Sequence, residues 1–184
     1  MATALSALIA SFNVTIKATA GGIVDLATPQ AVLSMMKAME TAFGTGLANC
    51  DEIFWDRRMI AASGNDPLDL AGTLVNPHQQ VITFANVKAI GVFNRSDQAL
   101  DYAGGTHAVT DAGIVILDTS STFVGPCKTV AKGMVIEAGG MFLATRPLAA
   151  GWAVTAGSAD ILQVDNEDGA DEALYDVVLI GEAA

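Results

Sequence analysis

The stretch that decides the fold is residues 134–181, MVIEAGGMFLATRPLAAGWAVTAGSADILQVDNEDGADEALYDVVLIG. Short runs of β-branched, aliphatic and aromatic residues alternate here with Gly, Pro and acidic turns roughly every ten residues, the rhythm of an all-β sandwich or barrel. Met141 to Thr145, Trp152 to Thr155, Ile161 to Val164 and Leu174 to Ile180 each read as a strand. The stretch carries scaffold signals and no catalytic motif.

The same rhythm extends upstream. SFNVTIKAT (11–19) alternates apolar and polar residues until Gly21-Gly22 breaks it, which predicts a first strand. PQAVLSMMKAMETAF (29–43) reads two ways. Val32, Met36, Met39 and Phe43 fit a helical stripe, with Pro29 suited to a helix start, yet pairing can hold such a segment as a strand. The cluster Met35, Met36 and Met39 is core filler in either case. Glu52 to Ile60 reads as a strand with Ile53 and Trp55 on one face and Phe54 and Asp56 on the other. Gly64-Asn65-Asp66-Pro67 reads as a turn, and Leu68, Leu70 and Leu74 anchor the next extended piece. Val81 to Phe84 and Val87 to Phe93 form the most apolar region, which predicts a central strand over 81–93. Ile114 to Leu117 adds a strand and Phe123 to Cys127 a turn-flanked edge, and Val135-Ile136 leads to Gly139-Gly140 ahead of the strand at Met141. The expected fold is therefore all-β, a sandwich or jelly roll of about eight to ten strands, with any helix confined to 30–43. Residues 1–12 read as an apolar N-terminal arm and 13–184 as one sandwich domain.

The chain has 184 residues, enough for one sizeable core. Only 16% are charged while 52% are hydrophobic, against about 25% charged in an average soluble domain, which favours a chain that assembles. No apolar run reaches the ~18 residues of a spanning helix. MATALSALIASF lacks the basic start of a signal peptide, so no membrane partner is expected. The net charge of −11 opposes nucleic-acid binding, which depends on Lys and Arg displacing counterions from phosphate. Cys50 and Cys127 have neither disulfide-framework nor zinc spacing and read as reduced small hydrophobes.

No motif specifies chemistry. The acidic loop Asp165-Asn166-Glu167-Asp168-Gly169-Ala170-Asp171-Glu172 is the densest set of oxygen ligands. Aligning Gly169 with the glycine of an EF-hand puts Val164 at the first ligand position, so that motif fails and a solvated turn is the better reading. His78 and His107 stand alone, and Ser63-Gly64 and Ser120-Ser121 are turn residues outside any nucleophile elbow. Gly104-Gly105 and Gly139-Gly140 are turn glycines, not phosphate cradles. Arg57 and Arg58 point to opposite faces of their strand, where one can be buried and paired. Trp55 and Trp152 are expected to leave solvent, in the core or at a subunit contact. No catalytic, cofactor or metal residues are assigned, and no enzymatic activity is expected.

Glu52-Ile53-Phe54-Trp55-Asp56-Arg57-Arg58, Asp66 to Leu70 with Ala71-Gly72, ITFANVKAI, the Gly139-Gly140 strand, GWAVTAGSADIL and YDVVLIG together resemble small virion proteins encoded near the capsid genes of tailed bacteriophages. The resemblance covers most of residues 11–181 and rests on strand rhythm and a few dipeptides. It implies a β-sandwich or jelly-roll decoration (cement) protein, a homo-oligomer with a trimer favoured, whose partner is the major capsid protein. Such a protein is made in the host bacterial cytoplasm and ends on the capsid surface. The alternatives are a head-to-tail connector or tail accessory protein, and a carbohydrate- or receptor-binding module of a head or tail fibre using residues 94–113 or 165–172. If the cysteines are reduced thiols, thermal melting is expected to be the same with and without reductant.

Overall fold

The computed structural model describes residues 7–19, 30–43, 49–76, 79–96, 101–102, 105–106, 113–116, 122–123, 125–127, 133–146 and 150–184. In chain order the strands are β1 (Ala7–Thr19), β2 (Gln30–Phe43), β3 (Asn49–Cys50), β4 (Glu52–Ile60), β5 (Asn65–Asp69), β6 (Phe84–Asn94) and β7 (Asp101–Tyr102). There follow β8 (Gly105–Thr106), β9 (Ile114–Ile116), β10 (Met134–Ile136), β11 (Met141–Thr145), β12 (Trp152–Ala153), β13 (Ile161–Asn166) and β14 (Ala173–Ala183). The protein is all-β, with no α-helix among the described residues.

Two antiparallel sheets make the sandwich. One has the order β11-β6-β14-β4, with β12 also on β6, and the other the order β10-β9-β13-β5. One core cluster joins them: Phe54, Ile90, Val177 and Leu179 from the first sheet meet Leu68, Ile116, Leu162 and Val164 from the second. β14 lies between β4 and β6, and its alternation shows why. Tyr175, Val177 and Leu179 are wholly buried on the inner face, whereas Asp176 and Val178 face outward. The expected central strand is β6, but it starts at Phe84. Val81 is 67% exposed and only bridges Val75.

The structure resolves one open sequence reading and corrects three. The segment 30–43 is a strand, held by thirteen residue pairs running from Ala7↔Ala42 to Thr19↔Gln30; cross-strand pairing overrides the helix-prone Met and Ala. This strand β1 starts at Ala7, so residues 7–12 of the expected arm belong to it. The turn placed at Gly64 to Pro67 lies one step earlier. Gly64 N–H donates to Ala61 O at 2.8 Å, Ser63 takes a left-handed φ of 53°, and Asn65 already opens β5. Pro67 is tolerated because β5 is an edge strand. The stretch read as an edge around Phe123 forms a 3-10 turn at Gly125–Cys127, where Gly125 has a φ of 49°.

Between Ile180 and Gly181 the register of β14 on β6 slips by one residue, leaving Lys88 as the extra residue of a bulge. The bulge turns Lys88 into full burial, where its ammonium donates to Glu182 Oε1 at 2.7 Å and to the Asn49 carbonyl in β3. Asn86 Nδ2 satisfies the other Glu182 oxygen at 3.0 Å. Gly181 is required here, since a Cβ would lie 2.1 Å from the Asn86 carbonyl oxygen. β3, and through its parallel pairing β2, are thus tied to the sandwich by a satisfied buried ion pair.

Trp152 packs against the core, half-buried, but Trp55 is 58% exposed and is not a core residue. Its outward phase on β4 was legible, and it stands on the exposed outer face of that strand. Replacing Leu162 by Ala should therefore destabilise the protein by about 2–5 kcal/mol. Trp55→Ser should change stability by no more than about 1 kcal/mol. Urea melts of the two variants compare them directly.

Candidate functional site

Two places gather unusual chemistry. The first is a polar clamp at one end of the sandwich. Arg58 and Tyr175 are cross-strand partners on the inner face of β4 and β14, and both reach Asp66 on β5 of the other sheet. The Arg58 guanidinium grips both Asp66 oxygens, with its Nη2 2.9 Å from Oδ1, and also donates to Asp56 at 3.1 Å. Tyr175 O–H donates to Asp66 Oδ2 at 2.7 Å. Burial, and then the Asp66 charge, push the Tyr175 phenol well above its usual range, while the Asp66 carboxylate holds Arg58 protonated more firmly than usual. An open cleft of about 330 Å³ lies beside the clamp, lined by Asp56, Arg57, Arg58, Asn65 and Asp66 among others. Every charged group of the clamp is engaged within the chain, so its role is to fasten one sheet to the other.

The acidic loop behaves likewise. Asp168 Oδ1 accepts backbone N–H bonds from Ala170 at 2.7 Å and Asp171 at 3.1 Å, which lowers its pKa. Asn166 Nδ2 donates to the carbonyls of Asp171 and Ala61, and Ser63 N–H donates to Asp168 O. The loop is thereby laced to the turn at 61–64, and the side chains of Asn166 and Asp168 are spent on backbone. No group of three or more His, Cys, Asp or Glu is placed to hold a metal ion among the described residues. His78, His107, Gly104, Ser120 and Ser121 lie outside the described residues, as does most of 94–113. Gly139 takes a φ of 73°, and a Cβ on Gly140 would meet the Glu137 carbonyl at 2.7 Å, so both are turn glycines. Cys50 is a buried thiol packed with Ala89 and Ile180.

The second place is the outer face of the β11-β6-β14-β4 sheet. The register lays Leu143, Gly91, Val178 and Trp55 in one row across its four strands. The next row is Met141, Phe93, Asp176 and Arg57. Trp55, Met141, Leu143, Val178 and Met59 are 39–58% exposed, large apolar side chains on a single face. The charges among them are paired with one another. Asp176 accepts from Arg57 at 2.7 and 3.2 Å and from Arg95 at 2.8 Å, and Arg95 also lies over the Phe93 ring, 4.5 Å from its centre. The hydrogen bond from Arg57, reinforced by Arg95, lowers the pKa of Asp176. At the far end of the face Cys50 of β3 covers Ala89, Ile180 and Ile53. Sequence reading put Arg57 and Arg58 on opposite faces with one of them buried and paired, and the structure pairs both with carboxylates of the same chain. It missed the apolar face, whose signal was the alternation Ile53, Trp55, Arg57, Met59 on β4.

No protein-family model, curated protein or solved structure matches the chain. No helix among the described residues is long and apolar enough to cross a membrane.

Two pH windows follow from the shifted groups. Asp176 titrates lower in the folded state, so its contribution is complete above about pH 4, the unfolded carboxylate range, and is lost as pH falls through the lowered value. Tyr175 titrates higher in the folded state, so its contribution holds below about pH 10 and is lost as pH rises beyond it. Tyr175→Phe should cost about 1–3 kcal/mol at neutral pH through the lost bond to a carboxylate. It should also flatten the decline of stability above pH 10, as followed by denaturant melts across pH.

Proposed function

We propose that the chain is a structural virion protein, a capsid decoration protein that binds the major capsid protein and stabilises the head of a tailed bacteriophage as a homo-oligomer. The observation that carries this reading is the outer sheet face with Trp55, Met141, Leu143 and Val178 exposed beside an internally paired Arg–Asp–Arg set. A contiguous apolar sheet face is an interaction surface, and a flat, rigid one suits protein rather than a small ligand. The action is mechanical: bridging neighbouring subunits removes apolar surface from water on both sides and opposes their separation. The strand rhythm shared with small phage virion proteins, the low charged fraction and the acidic balance support the same reading. A carbohydrate-binding role for residues 165–172 is less favoured, since the Asn166 and Asp168 side chains of that loop are bonded to the chain's own backbone.

Co-sedimentation with cognate heads tests the proposal. The protein should pellet with heads, and the association should persist at about 1 M salt, where exposed charge pairs are screened within ~3 Å. It should show neither hydrolytic activity nor retention by duplex DNA. Copy number per particle distinguishes hundreds on the shell from about a dozen or fewer at the neck or tail. Failure to pellet at any salt, with copies absent from purified virions, overturns the reading.

A further inference from the structure

We infer that the outer face of the β11-β6-β14-β4 sheet docks a second copy of this chain, related by a two-fold axis running along β14 through Val178, and that each copy seats its Trp55 on the partner's Gly91. This rests on the self-association included in the proposed function and replaces the threefold assembly implied by the resemblance with a two-fold one.

The row Leu143, Gly91, Val178, Trp55 carries the argument. Gly91 and Trp55 are the two lateral neighbours of Val178, one strand spacing away on either side, about 4.8 Å each. A two-fold axis through Val178 exchanges these positions. The largest exposed side chain of the face then falls on the one residue in its row that has no side chain, and does so twice, as an isologous contact requires.

Among the described residues nothing requires a glycine at position 91. Its φ is not among the positive values, and a Cβ built on it would meet only Leu143 and Val178 at 3.8 Å, ordinary contact distance. A strand-favouring residue would fit there. A glycine in a strand interior without an internal reason marks a place that another chain approaches closely.

Charge points to the same occupant. The chain carries −11, so copies repel over most of their surface. Asp176 is the only acid in the two open rows, and it is held by Arg57 and Arg95, which leaves this face at a net +1. On an axis along β14 each Asp176 faces the partner's Asp176, but each is held by its own Arg57 and Arg95, so the acids of two copies meet here as two carboxylates among four guanidiniums. β3 bounds it at one end, so the footprint is about 20 Å by 20 Å. That is below the ~800 Å² per partner of a standard interface, so the dimer should dissociate on dilution.

Sedimentation velocity over a wide concentration range, on wild type, Gly91→Val, Trp55→Ser and the double variant, tests the inference. Circular dichroism and melting first establish that each variant folds. Wild type is expected to dimerise, and each single variant should weaken dimerisation at least tenfold. The double variant should be no weaker than Trp55→Ser alone, because a filled Gly91 has no Trp left to exclude. Trp55 and Gly91 are two strands apart in one chain, so such non-additivity reports a contact between chains. Dimerisation unchanged in Gly91→Val, additive losses in the double variant, or a wild-type trimer would each overturn the two-fold pairing. Head co-sedimentation, run in parallel, separates the readings. Variants that keep their oligomeric state but no longer pellet would assign this face to the capsid and overturn the inference while leaving the proposed function standing. A wild type that is monomeric yet pellets overturns the inference and the homo-oligomer clause, and one that neither associates nor pellets overturns both readings.

Discussion

Everything in this fold hangs on β14, which must satisfy two environments at once through a period of two. Its inner residues Tyr175, Val177 and Leu179 close the core, and its outer residues Asp176 and Val178 set the character of the opposite face. Because it is paired on both sides, its register fixes that of β4 and β6, and so decides which residues stand in each outward row. A slip by one residue would drive Asp176 and Val178 inward and turn Tyr175 out, which the buried surface forbids. The exposed apolar row is thus a geometric consequence of burying the core correctly.

Polar groups reinforce this register instead of competing with it. At one end Asp66 binds Arg58 and Tyr175, joining the two sheets through a carboxylate whose acceptors are used by a guanidinium and a phenol. At the other, the bulge at Lys88 brings its ammonium to Glu182 and to the backbone of β3. A buried pair of this kind adds little net stability over apolar packing, but an unpartnered one is costly, so both arrangements penalise alternative pairings. Their effect is to fix where β3 and β5 sit.

Strand phase was legible in the sequence wherever a run alternated and ended in a turn signal, as in β4, β11 and β14. The errors have separate physical sources. Asn65-Asp66-Pro67 has turn composition but lies on an edge strand, where a missing N–H costs no ladder bond. Residues 30–43, which the sequence left open between helix and strand, carry a helical stripe that pairing with β1 overrides. Trp55 was assigned correctly to the face opposite Phe54, yet phase alone does not reveal whether a face is covered. The Asp66–Tyr175 bond joins residues 109 apart, and Lys88 sits inside an apolar run, so neither left a local signal.

The outward face follows a logic that sequence composition expresses only in aggregate. A chain with few charges must leave apolar area somewhere, and among the described residues five of the eight exposed large apolar side chains share this one sheet face. Concentration matters because association costs several kcal/mol of lost freedom before any contact contributes, and dispersed apolar residues cannot recover that cost cooperatively. Placing Arg57, Asp176 and Arg95 along the second row keeps the face soluble, and their mutual pairing spares most of the desolvation that isolated charges would impose on docking. The same three residues that make the face tolerable to water therefore also make it fit to lose that water against a protein partner.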